Sequence, residues 1–405
     1  MRTGNDPLAS GWLHALVRRP GSDREDATRG LAGRGAPAAA HLRARGVGPG
    51  GLMIRHALPG DVPARVPPGP AGAATTMRCV ETGRDLPRVP REWAPAIQTY
   101  FLACRVAYDP GNPIARDDCE TAGLRDAFRE QVDGQPLLPA EITGSSLLNR
   151  GVTGPGGAGR VLADLPNTLH DPATGLSASI SLRGGTEVVI AFGGTGGQGR
   201  WLSQVTQCAI NLLGLAPPAS FTQAARLTAR VQAHLEKLNA SLPPQRQLRL
   251  SLTGHSMGGG LATYASLRCG VPALVLAPMR LGDMARRSLG PAACARAPSL
   301  VTEVCCREDW VAANRLSRLM HWLGMKGSVG AFGTRYLVEV PSRREAACLG
   351  TEGADFSPHR NIDLALKIQV AEEEAALRRA GRAAGGRRPP SPGPLPGLDP
   401  AGPRR

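Results

Sequence analysis

Apolar and polar positions from residue 176 onward predict strands and helices in turn. LSASISL (176–182) alternates with a period of two and predicts a strand, and Gly184 and Gly185 follow it as a hairpin turn. EVVIAF (187–192) is a short apolar run, typical of a strand buried on both faces. FTQAARLTARVQAHLEKLNASL (221–242) then predicts a helix that ends before Pro243.

The same alternation continues through the rest of this region. It predicts strands at QLRLSLT (247–253), PALVLAP (272–278), SLVTEVCC (299–306) and TRYLVEV (334–340), and helices at GGGLATYASLRC (258–269), GDMARRSLG (282–290) and NIDLALKIQVAEEEAALRRA (361–380). Strands that alternate with helices predict the α/β class, with a mostly parallel sheet covered by helices on both faces.

The remaining chain is less regular. Trp93, Ile97, Tyr100, Phe101 and Cys104 recur at helical spacing and predict an amphipathic helix, whereas residues 110–175 suggest short helices and loops. We divide the chain into a disordered tail (1–76), a helical part that is a candidate cap (77–175), the α/β region (176–370), and the end of the last helix with a second disordered tail (371–405).

The net charge of +15 at first favours a nucleic-acid partner. However, residues 1–76 hold ten Arg against five acids, and residues 378–405 hold seven Arg against one, so the two ends carry most of the excess. No aromatic residues alternate with these arginines, which argues against a nucleic-acid partner. The basic tails suggest peripheral contact with an anionic membrane. Disordered tails that owe their arginines to genome composition and have no binding role are the alternative. Arg accounts for 45 of the 48 basic residues, which is typical of a GC-rich genome and predicts a bacterial source.

Cysteines and apolar runs bear on metal binding, membrane insertion and localisation. The nine cysteines are scattered without C-x-x-C pairs or zinc-like His spacing, so we predict free thiols, no metal site and no cofactor. No apolar run reaches the ~18 residues that a membrane helix needs. The N-terminus does not resemble a secretory signal, which predicts a cytoplasmic protein or export without a cleaved signal.

The pentapeptide GHSMG (254–258) fits the pattern G-x-S-x-G between a predicted strand and a predicted helix. This setting is that of a nucleophile elbow, a strained turn that presents a serine, here Ser256. Gly254 and Gly258 supply the minimal side chains that the turn requires. The backbone N–H of Met257 lies at the predicted helix N-terminus, where it favours developing negative charge.

A nucleophilic serine needs a base and an acid that orients the base. Two histidines follow Ser256: His359, in a loop after the last predicted strand, is favoured over His321, which apolar residues flank at helical spacing. Asp309 directly follows the strand at 299–306 and is the favoured acid. Four further acidic residues remain alternatives for this role: Asp283, Glu303, Glu308 and Asp355.

A second oxyanion donor is expected in the loop after an earlier strand. The strand EVVIAF ends in Gly193–Gly194–Thr195–Gly196–Gly197, where Thr195 can donate from its N–H and its hydroxyl. A phosphate cradle is the alternative for this glycine-rich loop, but the Lys of a P-loop is missing from it.

These ordered motifs resemble the class 3 lipase family of α/β-hydrolases over about half of the chain. VVIAFGGT is similar to the family's A-F-R-G-T strand end, and Trp201 resembles the tryptophan that follows it. LTGHSMGGGLATYASL is similar to the family's G-H-S-x-G-G-A-L-A elbow. LVLAPMRLGD, REDWV and PHRNI resemble the next turn, the acid motif and the histidine position.

The resemblance implies a lipid ester hydrolase of α/β-hydrolase fold that uses an acyl-enzyme. It implies the triad Ser256, Asp309 and His359 and an oxyanion hole at Thr195 and Met257. The alternative is a catalytically silent hydrolase fold that serves as a binding or effector module.

Two features depart from the family. Gly193 stands in place of the family's Arg, and only five residues separate Thr195 from Trp201, which leaves little room for an amphipathic lid.

Overall fold

The computed structural model describes the central part of the chain with several gaps. The described residues are 76–78, 85–108, 113–139, 142, 168–171, 173–195, 201–307, 332–339 and 362–383.

A central sheet of eight strands organises this part of the chain, with two small two-stranded sheets beside it. The twelve strands are β1 (Thr76–Arg78), β2 (Asp85–Pro87), β3 (Leu124–Asp126), β4 (Gln131–Val132), β5 (Gln135–Pro136), β6 (Thr168–Asp171), β7 (Leu176–Arg183), β8 (Glu187–Phe192), β9 (Arg249–His255), β10 (Ala273–Leu276), β11 (Val301–Cys306) and β12 (Thr334–Val338). The central order is β12-β11-β10-β9-β8-β7-β3, with β6 paired to β7. Strands β8 to β12 are all parallel, and β7, β3 and β6 pair antiparallel.

Nine α-helices connect or flank these strands in the described residues. They are α1 (Ala94–Tyr108), α2 (Pro113–Thr121), α3 (Trp201–Leu213), α4 (Ala219–Asn239), α5 (Met257–Cys269), α6 (Asp283–Leu289), α7 (Pro291–Ala295), α8 (Ala297–Leu300) and α9 (Ile362–Ala383). None of the helices in this part of the chain is long and apolar enough to span a bilayer.

The two faces of the sheet carry separate apolar cores because strand side chains alternate between the faces. On one face, Val188, Ile190 and Phe192 of β8 pack in one core with α4 and α5. On the other face, Val189 and Ala191 pack in a second core with α1 and α9. This three-layer arrangement, with its parallel strands and crossover helices, is the α/β-hydrolase fold that was expected.

The predicted strands and helices of residues 176–306 are present, with ends shifted by a few residues. The hairpin turn between β7 and β8 is confirmed, with φ of 57° at Gly184 and 79° at Gly185. Between residues 110 and 175, however, the chain also forms the short strands β3 to β6. Strands of two to four residues are too short to leave a detectable period in the sequence.

The alternation in β7 has a cause that the sequence does not reveal. Both faces of β7 are buried up to Leu182, so its serines do not point to solvent. Ser179 Oγ instead donates to Ala103 O at 3.1 Å, and Ser177 Oγ donates to Ala107 O. These hydrogen bonds hold α1 against the sheet and place its C-terminal end near the end of β8.

A buried polar network also joins α1 to the sheet. The carboxylate of Glu187 accepts hydrogen bonds from Tyr100 Oη at 2.5 Å and Ser251 Oγ at 2.8 Å, and it pairs with Arg183 at 2.8 Å. Burial, together with the neighbouring Glu187 charge, raises the pKa of Tyr100 well above its ordinary value. The Tyr100 hydroxyl therefore stays neutral and keeps donating at physiological pH.

Candidate active site

Ser256 occupies a strained turn between β9 and α5. Its φ of 58° and ψ of −124° lie in a region that non-glycine residues rarely adopt, at a cost of about 1–3 kcal/mol. Backbone hydrogen bonds hold this conformation: Ser256 N donates to Leu276 O at 3.1 Å, and Met279 N donates to Ser256 O at 2.8 Å. The half-buried Ser256 side chain makes no capping hydrogen bond to α5. The local geometry is that of a nucleophile elbow.

Close backbone contacts explain the glycines around the elbow. A Cβ on Gly254 would lie 2.1 Å from Gly258 O, and a Cβ on Gly258 would lie 2.0 Å from Phe192 O. The first turn of α5 therefore presses directly on the ends of β8 and β9. A side chain at either position would collide with backbone atoms.

Gly258→Ala is expected to lower the free energy of unfolding by about 3 kcal/mol, because the new methyl group would overlap the Phe192 carbonyl. Gly260→Ala in the same helix is the graded comparison, because its Cβ would lie 2.9 Å from Met279 O, a smaller overlap that should cost less free energy. Urea denaturation of both variants checks this. If Gly258→Ala proves as stable as Gly260→Ala, our account of the elbow packing is wrong.

The Gly-Thr loop after β8 lies beside the elbow. Thr195 Oγ1 is 3.8 Å from Met257 Sδ and 3.6 Å from Cys208 Sγ, so the two residues predicted as oxyanion donors are in contact. Burial raises the pKa of the Cys208 thiol to about 11, against a smaller lowering by the hydrogen bond to Thr195. Cys208 therefore stays protonated near neutral pH and packs under the loop as an unreactive thiol. Gly196 and Gly197 lie outside the described residues.

The C-terminal end of α1 fills the space behind this loop. A Cβ on Gly193 would lie 2.6 Å from Ala107 O, and a Cβ on Gly194 would lie 1.8 Å from Tyr108 Oη. The first of these contacts gives a physical reason for the glycine at position 193, since a larger residue would displace α1. The same tyrosine hydroxyl is 2.9 Å from His255 Nδ1 and donates to His255 O at 3.1 Å. Sequence analysis missed Tyr108, because no motif marks it.

Helix α3 contacts the Gly-Thr loop through Cys208 and the loop after β10 through Asn211, and it buries polar rather than apolar residues. Gln204 Nε2 donates to Gly175 O at 3.0 Å, and Gln207 Oε1 accepts from Ser220 N at 3.3 Å. Asn211 donates to Arg280 O at 2.7 Å and accepts from Gly282 N at 2.8 Å. Leu202 and Leu213 are exposed on the outer side. Hydrogen bonds to backbone groups thus hold α3 in place.

A buried ion cluster fixes the loop after β10 from the other side. Both carboxylate oxygens of Glu303 contact Arg280 Nη1, at 2.9 and 3.1 Å, and one also accepts from Arg335 Nε at 3.1 Å. All three side chains are almost fully buried. Glu303, one of the alternative acids, therefore neutralises Arg280 of this loop and Arg335 of β12.

The other candidate acids and bases are placed as follows. Asp283 lies in the first turn of α6 and pairs with Arg287 at 2.6 Å and with Arg286 at 3.8 Å. The favoured Asp309 and His359 lie outside the described residues, as do the alternatives His321, Glu308 and Asp355. The triad thus stays a prediction. In the described part of the chain, no group of three or more His, Cys, Asp or Glu is positioned to hold a metal ion.

The sheet topology and the elbow after its central strand define an α/β-hydrolase fold. No protein-family model matches the chain, and no curated protein matches it by sequence.

Several solved structures match the chain at low similarity. The native Rhizomucor miehei lipase–propeptide complex is 13% identical over 68% of this chain and 80% of that one, with a TM-score of 0.36. A Penicillium expansum triacylglycerol lipase is 14% identical over 67% and 91%, with a TM-score of 0.36. A hyperthermophilic esterase from Pyrobaculum calidifontis is 13% identical over 52% and 79%, with a TM-score of 0.22. At these values the likenesses carry no argument about activity or substrate.

Proposed function

We propose that the chain is a serine ester hydrolase that acts on lipid esters through an acyl-enzyme. The observation that carries the proposal is Ser256 at φ 58° between β9 and α5, with the Gly-Thr loop beside it. A strained, half-buried serine at the carboxyl end of a central parallel strand is where this fold presents a nucleophile.

In the proposed reaction, His359 takes the proton from Ser256 Oγ while that oxygen forms a bond to the ester carbonyl carbon. Asp309 holds the imidazole in place and stabilises its charged form. The N–H groups of Thr195 and Met257 donate to the carbonyl oxygen as it becomes an oxyanion, and each donor contributes about 3 kcal/mol.

The tetrahedral intermediate then collapses and the alcohol leaves with the proton that His359 held. This leaves an acyl group on Ser256. Water, deprotonated by His359, attacks the acyl carbon, and collapse of the second intermediate releases the carboxylic acid and restores the Ser256 hydroxyl.

Lipid is the proposed substrate class on the strength of the class 3 lipase resemblance of the sequence motifs. Peripheral contact with an anionic membrane through the arginine-rich tails belongs to the same proposal. Residues 1–75 and 384–405 lie outside the described residues.

An acyl-transfer assay tests the proposal. Two esters of the same acid with different leaving groups, p-nitrophenyl and phenyl, are hydrolysed with methanol present. A common acyl-enzyme partitions between water and methanol independently of the alcohol that left. We therefore expect the same ratio of methyl ester to acid from both substrates.

Two results would count against the proposal. Hydrolysis no faster than in buffer would favour the silent binding module, and a ratio that changes with the leaving group would exclude a common acyl-enzyme.

A panel of glyceride and phospholipid emulsions beside short soluble esters tests the lipid part. If the protein hydrolyses only the soluble esters, the substrate class is wrong.

A further inference from the structure

We propose that Tyr108 is a positioning residue that sets the spacing between the two loops carrying the oxyanion donors. The inference rests on the proposed function and adds a residue of α1 to that site. Tyr108 is 147 residues from His255 in sequence, and no motif connects the two.

The contacts of the Tyr108 hydroxyl place it between the two loops. On one side it packs against Gly194, which directly precedes Thr195, so closely that a Cβ on Gly194 would lie 1.8 Å from Oη. On the other side it contacts the backbone and the ring of His255, which directly precedes Ser256. The Tyr108 Oη atom therefore lies between the Gly-Thr loop and the elbow and sets the distance between them.

The hydroxyl has one proton, which determines how it bonds to His255. The backbone carbonyl of His255 can only accept, so Tyr108 Oη donates to it at 3.1 Å. The contact with Nδ1 at 2.9 Å is then satisfied when the Nδ1–H of His255 donates to Oη. This arrangement fixes the His255 ring and the end of β9 together.

Other contacts hold the C-terminal end of α1, where Tyr108 lies. Gly193 N donates to Ser177 O at 2.8 Å, while Ser177 Oγ donates to Ala107 O. The Phe101 ring packs edge-on against His255, with centroids 5.9 Å apart. These contacts hold the backbone of the α1 end, and the hydrogen bonds with His255 then hold the Tyr108 hydroxyl in its place.

The consequence for catalysis follows from the geometry of an oxyanion hole. The donors must lie about 2.7–3.1 Å from the oxyanion, so a small change in the separation of the two loops weakens transition-state stabilisation. Substrate binding depends less on this separation. Loss of the Tyr108 hydroxyl should therefore lower kcat much more than it raises KM.

Tyr108→Phe keeps the ring and removes only the hydroxyl, and Tyr264→Phe is the matched control. Tyr264 Oη is 3.0 Å from Ser288 Oγ, between α5 and α6. Each variant is assayed with a p-nitrophenyl ester and with the corresponding thionoester, whose carbonyl sulfur is a poor partner for oxyanion-hole donors. Thermal unfolding checks that both variants are folded.

For Tyr108→Phe we expect kcat on the ester to fall about tenfold, KM to change less than about twofold, and the ester-to-thionoester rate ratio to fall. Tyr264→Phe should behave as the wild type. A structural role alone would lower both rates equally, and this result, or wild-type kinetics, would overturn the inference while leaving the proposed function intact. A wild-type protein without ester hydrolysis would overturn both.

Discussion

Ser256→Ala is expected to lower kcat for hydrolysis of a p-nitrophenyl ester by about 10⁵-fold or more, which leaves a residual rate about 10³–10⁴-fold above the uncatalysed reaction. The reason is chemical: alanine provides no oxygen to form the acyl-enzyme, so only substrate binding and the oxyanion donors remain. The backbone need not change, because Ser256 N and O make the hydrogen bonds that hold the turn. Alanine also lacks glycine's freedom at positive φ, as serine does, so the strain is similar in both proteins.

Ser299→Ala is a matched control for this experiment. Ser299 is exposed, bonds to Arg296 O at 2.8 Å, and precedes β11 at the amino ends of the strands, away from the elbow. It should keep wild-type activity. Equal rates for Ser256→Ala and the wild type would contradict the proposed mechanism.

His359→Ala is expected to lower kcat by about 10⁴-fold or more, because Ser256 then has no base to take its proton. The serine hydroxyl is a weak nucleophile without that base. Steady-state kinetics on the same ester, with the fold checked by circular dichroism, measure the effect. KM should change far less than kcat.

The same assay distinguishes the two candidate histidines. His321→Ala should retain most of the activity. His234→Ala, the control, should also retain it, because the His234 ring lies on α4 next to Leu137 O. The reverse pattern, with His321→Ala inactive and His359→Ala active, would show that the base was assigned to the wrong histidine.

The sequence was sufficient to predict the central elements of this fold, because their signals are strong and local. After Glu187, strand β8 is a continuous apolar run, and all six residues of the strand are buried. The elbow was predictable because its glycines and serine are adjacent in sequence, and the structure places Gly258 against the Phe192 carbonyl. The short strands β3 to β6 could not be predicted, since two to four residues carry no measurable period.

Contacts between segments that are distant in the chain could not be predicted from a single sequence. Tyr108 lies at the end of a helix predicted from its apolar face, and nothing in that pattern indicates that its hydroxyl reaches His255. Glu303 was one of the alternative acids. Its two arginine partners, Arg280 and Arg335, are 23 and 32 residues away in sequence, and only the fold brings them together.

The central claim is that Ser256 is an activated nucleophile, and site-resolved labelling tests it most directly. The protein is treated with a fluorophosphonate probe, digested and analysed by mass spectrometry. We predict one covalent adduct, on Ser256, that does not form in Ser256→Ala and forms more slowly in His359→Ala. A folded protein that stays unlabelled, or that carries the adduct on a different serine, would contradict the claim.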